Sequence, residues 1–168
     1  FDPIFFTQER IGKDGTLFKF YKFRSMVPNA DEILTQTLKI DKIAEEEYKI
    51  NKKLKNDPRI TKAGKILRKT SLDELPQIWD IFIGKMSVVG PRSPLPNEVE
   101  KYNEYQMHRL DVKGGLLCLW QIQKNRHQIT FKQWVDCDIE YIQKRSIRLD
   151  LKIILVGFWR LLTDRSGE

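Results

Sequence analysis

Two apolar runs near the start of the chain are parted by Gly12-Lys13-Asp14-Gly15, and this feature narrows the fold more than any other. Ile4, Phe5, Phe6 and Ile11 come before it, and Leu17-Phe18-Lys19-Phe20-Tyr21 comes after. Glycine-rich turn chemistry between aromatic and β-branched runs is a hairpin signal, so residues 4 to 23 are expected to form a β-hairpin. Beyond it the apolar residues recur mostly at helical spacing. Ile33, Ile40, Ala44 and Tyr48 predict a helix from about Asn29 to Leu54, with Asn29 as its cap. Further helices are expected around Leu72 to Phe82, Asn97 to Arg109, Thr130 to Gln143 and Arg148 to Leu162, with an extended segment and turn at Met86 to Arg92. One hairpin and a series of helices make an α+β, helix-rich domain. The 168 residues, 40% of them hydrophobic, suffice for a single domain over 1–168 with a real core.

Thirty basic and 23 acidic residues leave a formal net charge of +7. Such a chain favours anionic partners: nucleic acid, nucleotides, lipid phosphates or an acidic membrane face. The charge is also unevenly spread. Asp31 to Glu47 holds six acids and two lysines, whereas Lys49 to Lys69 holds nine basic residues and one acid, Asp57. A run of this kind is either a solvated face or an approach surface for an anion. Cys118 and Cys137 lack metal-ligand spacing and read as reduced thiols. His108 and His127 have no partners at ligand spacing and read as surface or structural residues. No apolar run is long enough to span a bilayer. The first residue is Phe1 rather than Met, so upstream sequence is allowed for.

The basic stretch leads into Thr70-Ser71-Leu72-Asp73-Glu74-Leu75-Pro76. Proline is tolerated only in a first helical turn, so the helix cannot begin much before Leu72, and Asp73 and Glu74 fall at its N-terminus. Ser71 and Glu74 have the spacing of a capping box, and Leu75, Ile78, Trp79 and Phe82 make the apolar stripe. Adjacent carboxylates repel, so something must keep both ionised: free N–H groups at a helix start, or a divalent cation. Arg68 precedes the pair and Arg92 follows in a Gly-Pro-Arg turn, and arginine suits bidentate phosphate contact. Acids for a metal and arginines for phosphate suggest phosphoryl chemistry, although the same segment is also simply a good helix start.

The ordered series Phe5-Phe6-x-Gln8-x-Arg10-x-Gly12, Lys22-Phe23-Arg24-Ser25-Met26, Arg59-x-Thr61-x-x-Gly64-x-x-x-Arg68, Ser71-Leu72-Asp73-Glu74-Leu75-Pro76-Gln77, Met86-Ser87-x-Val89-Gly90-Pro91-Arg92 and Leu119-Trp120-Gln121 resembles the bacterial sugar transferases, the monotopic phosphoglycosyl transferases. The resemblance covers nearly the whole chain in family order. It implies a Mg²⁺-dependent enzyme that moves a phosphosugar from a nucleoside diphosphate sugar, usually a UDP-sugar, to undecaprenyl phosphate or a similar polyprenol phosphate. It implies that Asp73 is the nucleophile, forming a covalent phosphosugar adduct, and that Glu74 assists in metal binding or proton handling. Arg92 would bind phosphate, Arg68 and Lys22 would support the site, and Arg126 would help to bind the nucleotide. The setting implied is the cytoplasmic face of the bacterial inner membrane, with a re-entrant N-terminal anchor helix ahead of the Phe5-Phe6 segment and absent from this chain.

The family often reads Pro-Gly-(Ile or Leu)-Thr-(Gly or Cys) where this chain has Gly114-Gly115-Leu116-Leu117-Cys118. A Gly-Gly pair is expected to add flexibility there, and Leu117 removes a hydroxyl. The apolar C-terminal helix, flanked by Arg148, Lys152 and Arg160, suits either the core or a lipid interface. Two rival readings stand beside the enzyme. One is a basic nucleic-acid-binding module, against which no recognisable nucleic-acid motif appears and the acidic pair would face the ligand, so no nucleic-acid partner is expected. The other is a non-catalytic scaffold, against which Asp73-Glu74 and Gly90-Pro91-Arg92 are intact.

Overall fold

The computed structural model describes residues 3–51, 54–123 and 129–163. The expected hairpin is there. Strands β1 (Phe5–Ile11) and β2 (Leu17–Phe23) pair antiparallel, with Gln8 opposite Phe20 and Arg10 opposite Phe18. Their turn places Asp14 at φ 55° and Gly15 at φ 76°, the left-handed region that glycine enters freely and aspartate tolerates. Because side chains alternate along a strand, Phe18, Phe20 and Lys22 share one face of β2, and Gln8 and Arg10 project on the same side from β1. That face covers a small core of Phe18, Phe20 and Met86, with Ile81 against it.

Three expected helices are built differently. The long helix from Asn29 is two helices, α1 (Ala30–Ile40) and α2 (Lys42–Asn51). Asp41 breaks it, because its carboxylate accepts the free N–H groups of Ile43 and Ala44 at 2.9 and 3.1 Å and so starts a new helix. Asn29 precedes α1 but makes no side-chain cap. The basic stretch, read only as charge, contains α3 (Lys62–Lys69), capped by Thr61 Oγ1 accepting from Gly64 N at 2.9 Å. The helix expected from Leu72 to Phe82 is a single 3-10 turn at Leu72–Glu74 followed by α4 (Gln77–Phe82). Ser71 has φ 53° and makes no cap bond, so the capping box does not form.

Strand β3 (Ser87–Val89) begins the expected extended segment. The helix expected from Asn97 to Arg109 divides into α5 (Pro96–Val99), α6 (Glu104–Met107) and a 3-10 turn at His108–Leu110. Asn103 causes the break, since its side chain accepts from Gln106 N while its own N–H donates to Gln106 Oε1, both at 2.9 Å. Strand β4 (Gly115–Leu117) pairs parallel with β3. Gly114-Gly115 is therefore not a flexible link. A Cβ on Gly115 would lie 2.0 Å from the backbone N of Gly90, and one on Gly114 would lie 1.9 Å from Ser93 Oγ, so both glycines serve close approach.

Helices α7 (Phe131–Lys144) and α8 (Ile147–Thr163) close the domain. Val89, Leu119, Tyr141 and Ile153 form the second core between them and β3. Helix α8 is buried on one side only: Ile153 is fully buried, while Leu151, Leu155, Phe158 and Trp159 face outward. Arg160 turns inward, donating to the carbonyls of Gln121 and Gln123 at 3.0 and 2.8 Å. Among the described residues no helix is long and apolar enough to cross a membrane.

Candidate active site

Asp73 and Glu74 sit on the 3-10 turn between α3 and α4, and β2 packs against that turn. Lys22, on the inner face of β2, reaches Glu74 and donates to Oε1 at 2.6 Å. The partner of Glu74 is thus a lysine 52 residues away rather than a helix cap. Asp73 is 9% exposed. Burial raises its pKa above the ordinary aspartate value and Glu74 pushes the same way, while Lys22 and Arg68 pull it down. Arg68 is aimed by α3, which lies so close to the end of β2 that a Cβ on Gly64 would meet the Ser25 carbonyl oxygen at 1.9 Å. Arg68 Nε then donates to Ser25 Oγ at 2.8 Å. The lone acid of the basic stretch, Asp57, is taken by Arg59 at 2.6 Å.

Arg92 lies on a loop whose backbone is held at four successive carbonyls by four separate donors. Pro91 O accepts from Gly115 N at 2.8 Å, Arg92 O from Arg109 Nη2 at 3.2 Å, Ser93 O from Arg10 Nη1 at 2.9 Å, and Pro94 O from Ile11 N at 2.9 Å. Both clamping arginines are buried. Arg109 is ion-paired with Asp138 on α7 at 2.8 Å. Burial pushes the Asp138 carboxyl up to about 7, with Arg109 pulling it back. Arg10 sits 5.2 Å from the Phe20 ring centre and Lys22 5.6 Å from the same ring. Burial and the neighbouring Arg92 lower the pKa of Arg10 to about 10, and Glu98 and Glu74 oppose that. Burial pushes the Cys118 thiol well above its ordinary value. Arg10, which holds the Ser93 carbonyl next to Arg92, and Lys22, which holds Glu74, both lie against the Phe20 ring.

Among the described residues no three His, Cys, Asp or Glu side chains gather around a metal position. The acidic pair fits a narrower role. Magnesium commonly takes one or two carboxylates from protein and its remaining ligands from water and phosphate. Asp73 and Glu74 offer that number, with Lys22 already on one oxygen of Glu74.

Residues 1–164 match the family described as bacterial sugar transferase. The chain belongs to the bacterial sugar transferase family. Relatives of this chain include the galactosyl transferase CpsE of Streptococcus agalactiae serotype III (strain NEM316), 45% identical over 92% of this chain and 33% of its own length. The UDP-galactose-lipid carrier transferase of Erwinia amylovora is 43% identical over 90% of this chain and 31% of its own. The UDP-glucose:undecaprenyl-phosphate glucose-1-phosphate transferase of Klebsiella pneumoniae is 37% identical over 98% and 34%. The chain spans about a third of the length of these relatives.

Four residues around the Arg92 loop had no role assigned from sequence: Arg10 and Arg109, which clamp its carbonyls, Asp138, which pairs with Arg109, and Trp134, whose ring lies 5.2 Å from the Arg92 guanidinium carbon. Asp138 was detectable in principle, because it lies on the same face of α7 as Val135, Ile139 and Tyr141, all buried. A charge on an apolar stripe calls for a buried partner. Arg126 and His127 lie outside the described residues. His108 is exposed and pairs with Asp111 at 2.9 Å, in line with a surface role, and Cys118 and Cys137 are both free thiols.

Proposed function

We propose that this protein transfers a phosphosugar from a UDP-sugar to a polyprenol phosphate such as undecaprenyl phosphate, through a covalent adduct on Asp73, and so starts assembly of a surface glycan. The observation that carries the reading is Asp73 itself, a buried carboxylate whose pKa burial raises and whose nearest cations, Lys22 and Arg68, partly offset that rise. Family membership and the printed activities of the relatives supply the substrate classes. In the first step an Asp73 oxygen attacks the phosphorus that bears the sugar. The bond to the bridging oxygen breaks, and UMP leaves with the electron pair. In the second, an oxygen of the polyprenol phosphate attacks the same phosphorus, and the Asp73 carboxylate is released.

Arg92, fixed through the carbonyls of its loop, stabilises charge on the phosphoryl oxygens without having to reorganise. Lys22 orients Glu74 and opposes the burial that raises the Asp73 pKa. Asp73 and Glu74 are the residues that would hold Mg²⁺, which when bound supplies Lewis-acid polarisation of the pyrophosphate.

The lipid side of the reaction is supported by α4, whose polarity is reversed. Gln77 and Asp80 face inward, whereas Leu75, Ile78, Trp79 and Phe82 face outward, with Phe82 80% exposed. The apolar stripe points away from the core. An outward apolar face that follows directly on the Asp73 turn suits the cytoplasmic surface of a bacterial membrane, where the acceptor lipid resides. The test is a panel of UDP-sugars with undecaprenyl phosphate and Mg²⁺, scored by UMP release. Release with one sugar that requires both lipid and metal supports the reading, and no release with any sugar from active-folded protein overturns it.

A further inference from the structure

Arg92 has a second kind of support that leaves its hydrogen-bonding capacity intact. Its guanidinium carbon lies 5.2 Å from the ring centre of Trp134, on α7. Arg109 lies 5.5 Å from the same ring and is fixed by Asp138, one turn further along the helix. Trp134 is braced in turn by Trp120, centre to centre 5.2 Å and tilted by 60°, and by Phe131, edge-on at 6.2 Å. Among the described residues no acceptor takes a hydrogen bond from the Arg92 guanidinium.

These contacts distinguish two ways of holding an arginine. A carboxylate would neutralise it and consume its N–H groups. An aromatic ring attracts the cation through its quadrupole and leaves all five N–H donors for an incoming anion. With Arg109 already balanced by Asp138, the charge of Arg92 is left for a ligand.

We propose that Trp134 is a positioning residue for Arg92, holding the guanidinium so that it meets the diphosphate of the nucleotide. This rests on the reading of Arg92 as the phosphate-binding arginine. Trp134 acts through Arg92 and not by touching the nucleotide. A cation–π contact of this kind corresponds to about a 2- to 30-fold change in affinity.

The test is a double-mutant cycle read by calorimetric binding of UDP to the purified protein, with thermal melts alongside. Trp134→Leu should weaken UDP binding within that range, and Trp134→Phe should restore most of it. On an Arg92→Ala background, Trp134→Leu should weaken UDP binding no further. Trp134→Met is the volume-matched alternative if the leucine variant melts early. An undiminished effect of Trp134→Leu without Arg92, or none in its presence, overturns the proposal while leaving the phosphate role of Arg92 standing. Unchanged UDP binding in Arg92→Ala alone overturns that role as well, and separates the two failures.

Discussion

Gly114→Ala tests whether the arginine loop is as tightly built as its contacts imply. An added Cβ would sit 1.9 Å from Ser93 Oγ, 3.1 Å from Ser93 Cβ and 3.2 Å from Ser93 N. Only the first contact is impossible, and Ser93 Oγ is itself buried without a hydrogen-bond partner among the described residues. Overpacking of this order costs about 1–3 kcal/mol. At roughly 2–4 °C per kcal/mol for a domain of this size, Tm should fall by about 2–12 °C. Ser93→Ala alone removes an unsatisfied hydroxyl and should leave Tm unchanged or slightly raised. The double variant should recover most of the loss, because the remaining contacts are tight but tolerable. Thermal melts of the four proteins measure this directly, and transferase activity should follow, since Ser93 adjoins Arg92. A double variant whose loss equals the sum of the single ones would refute the idea that the clash with Ser93 is what requires glycine.

Asp73→Asn should lower turnover by on the order of 10³-fold or more, while Tm holds or rises. The sign follows from burial: a carboxyl whose pKa is raised by folding is stabilising while protonated, and that stability is lost as pH rises through the folded pKa, so the charge is a burden at neutral pH. The acidic limb of the pH–rate profile should accordingly lie above the ordinary aspartate value, and Lys22→Met should move it higher by removing a charge that lowers the Asp73 pKa. Arg109→Met leaves Asp138 buried without its partner and should cost about 3–5 kcal/mol, read as a large drop in Tm. Trp79→Ser with Phe82→Ser should weaken binding to anionic liposomes by about 10-fold or more while barely changing Tm, because both side chains are exposed in the free protein.

The hairpin was legible because two short apolar runs and a glycine turn form a local signal that tertiary packing reinforces. The later helices α7 and α8 were legible through their periodicity and, for α7, through the Thr130 cap. The breaks were harder to foresee. Asp41 and Asn103 each have an ordinary helical neighbourhood, and only their side-chain bonds to nearby N–H groups decide that a new helix starts there. The apolar stripe around α4 was legible as a stripe, but its outward direction was not, since periodicity names a face without naming what covers it. Within the site, Asp73 and Glu74 stood out as a motif, but the Lys22–Glu74 contact joins positions 52 residues apart. The clamp from Arg10 and Arg109 is likewise a product of topology, with no signature in local sequence.

The covalent role of Asp73 is tested most directly by mass spectrometry of the protein incubated with its UDP-sugar and Mg²⁺ in the absence of polyprenol phosphate. The expected result is a phosphosugar mass on the peptide containing Asp73, absent from Asp73→Asn and discharged when the lipid is added. An adduct on another residue, or near-normal turnover by Asp73→Asn, would contradict it.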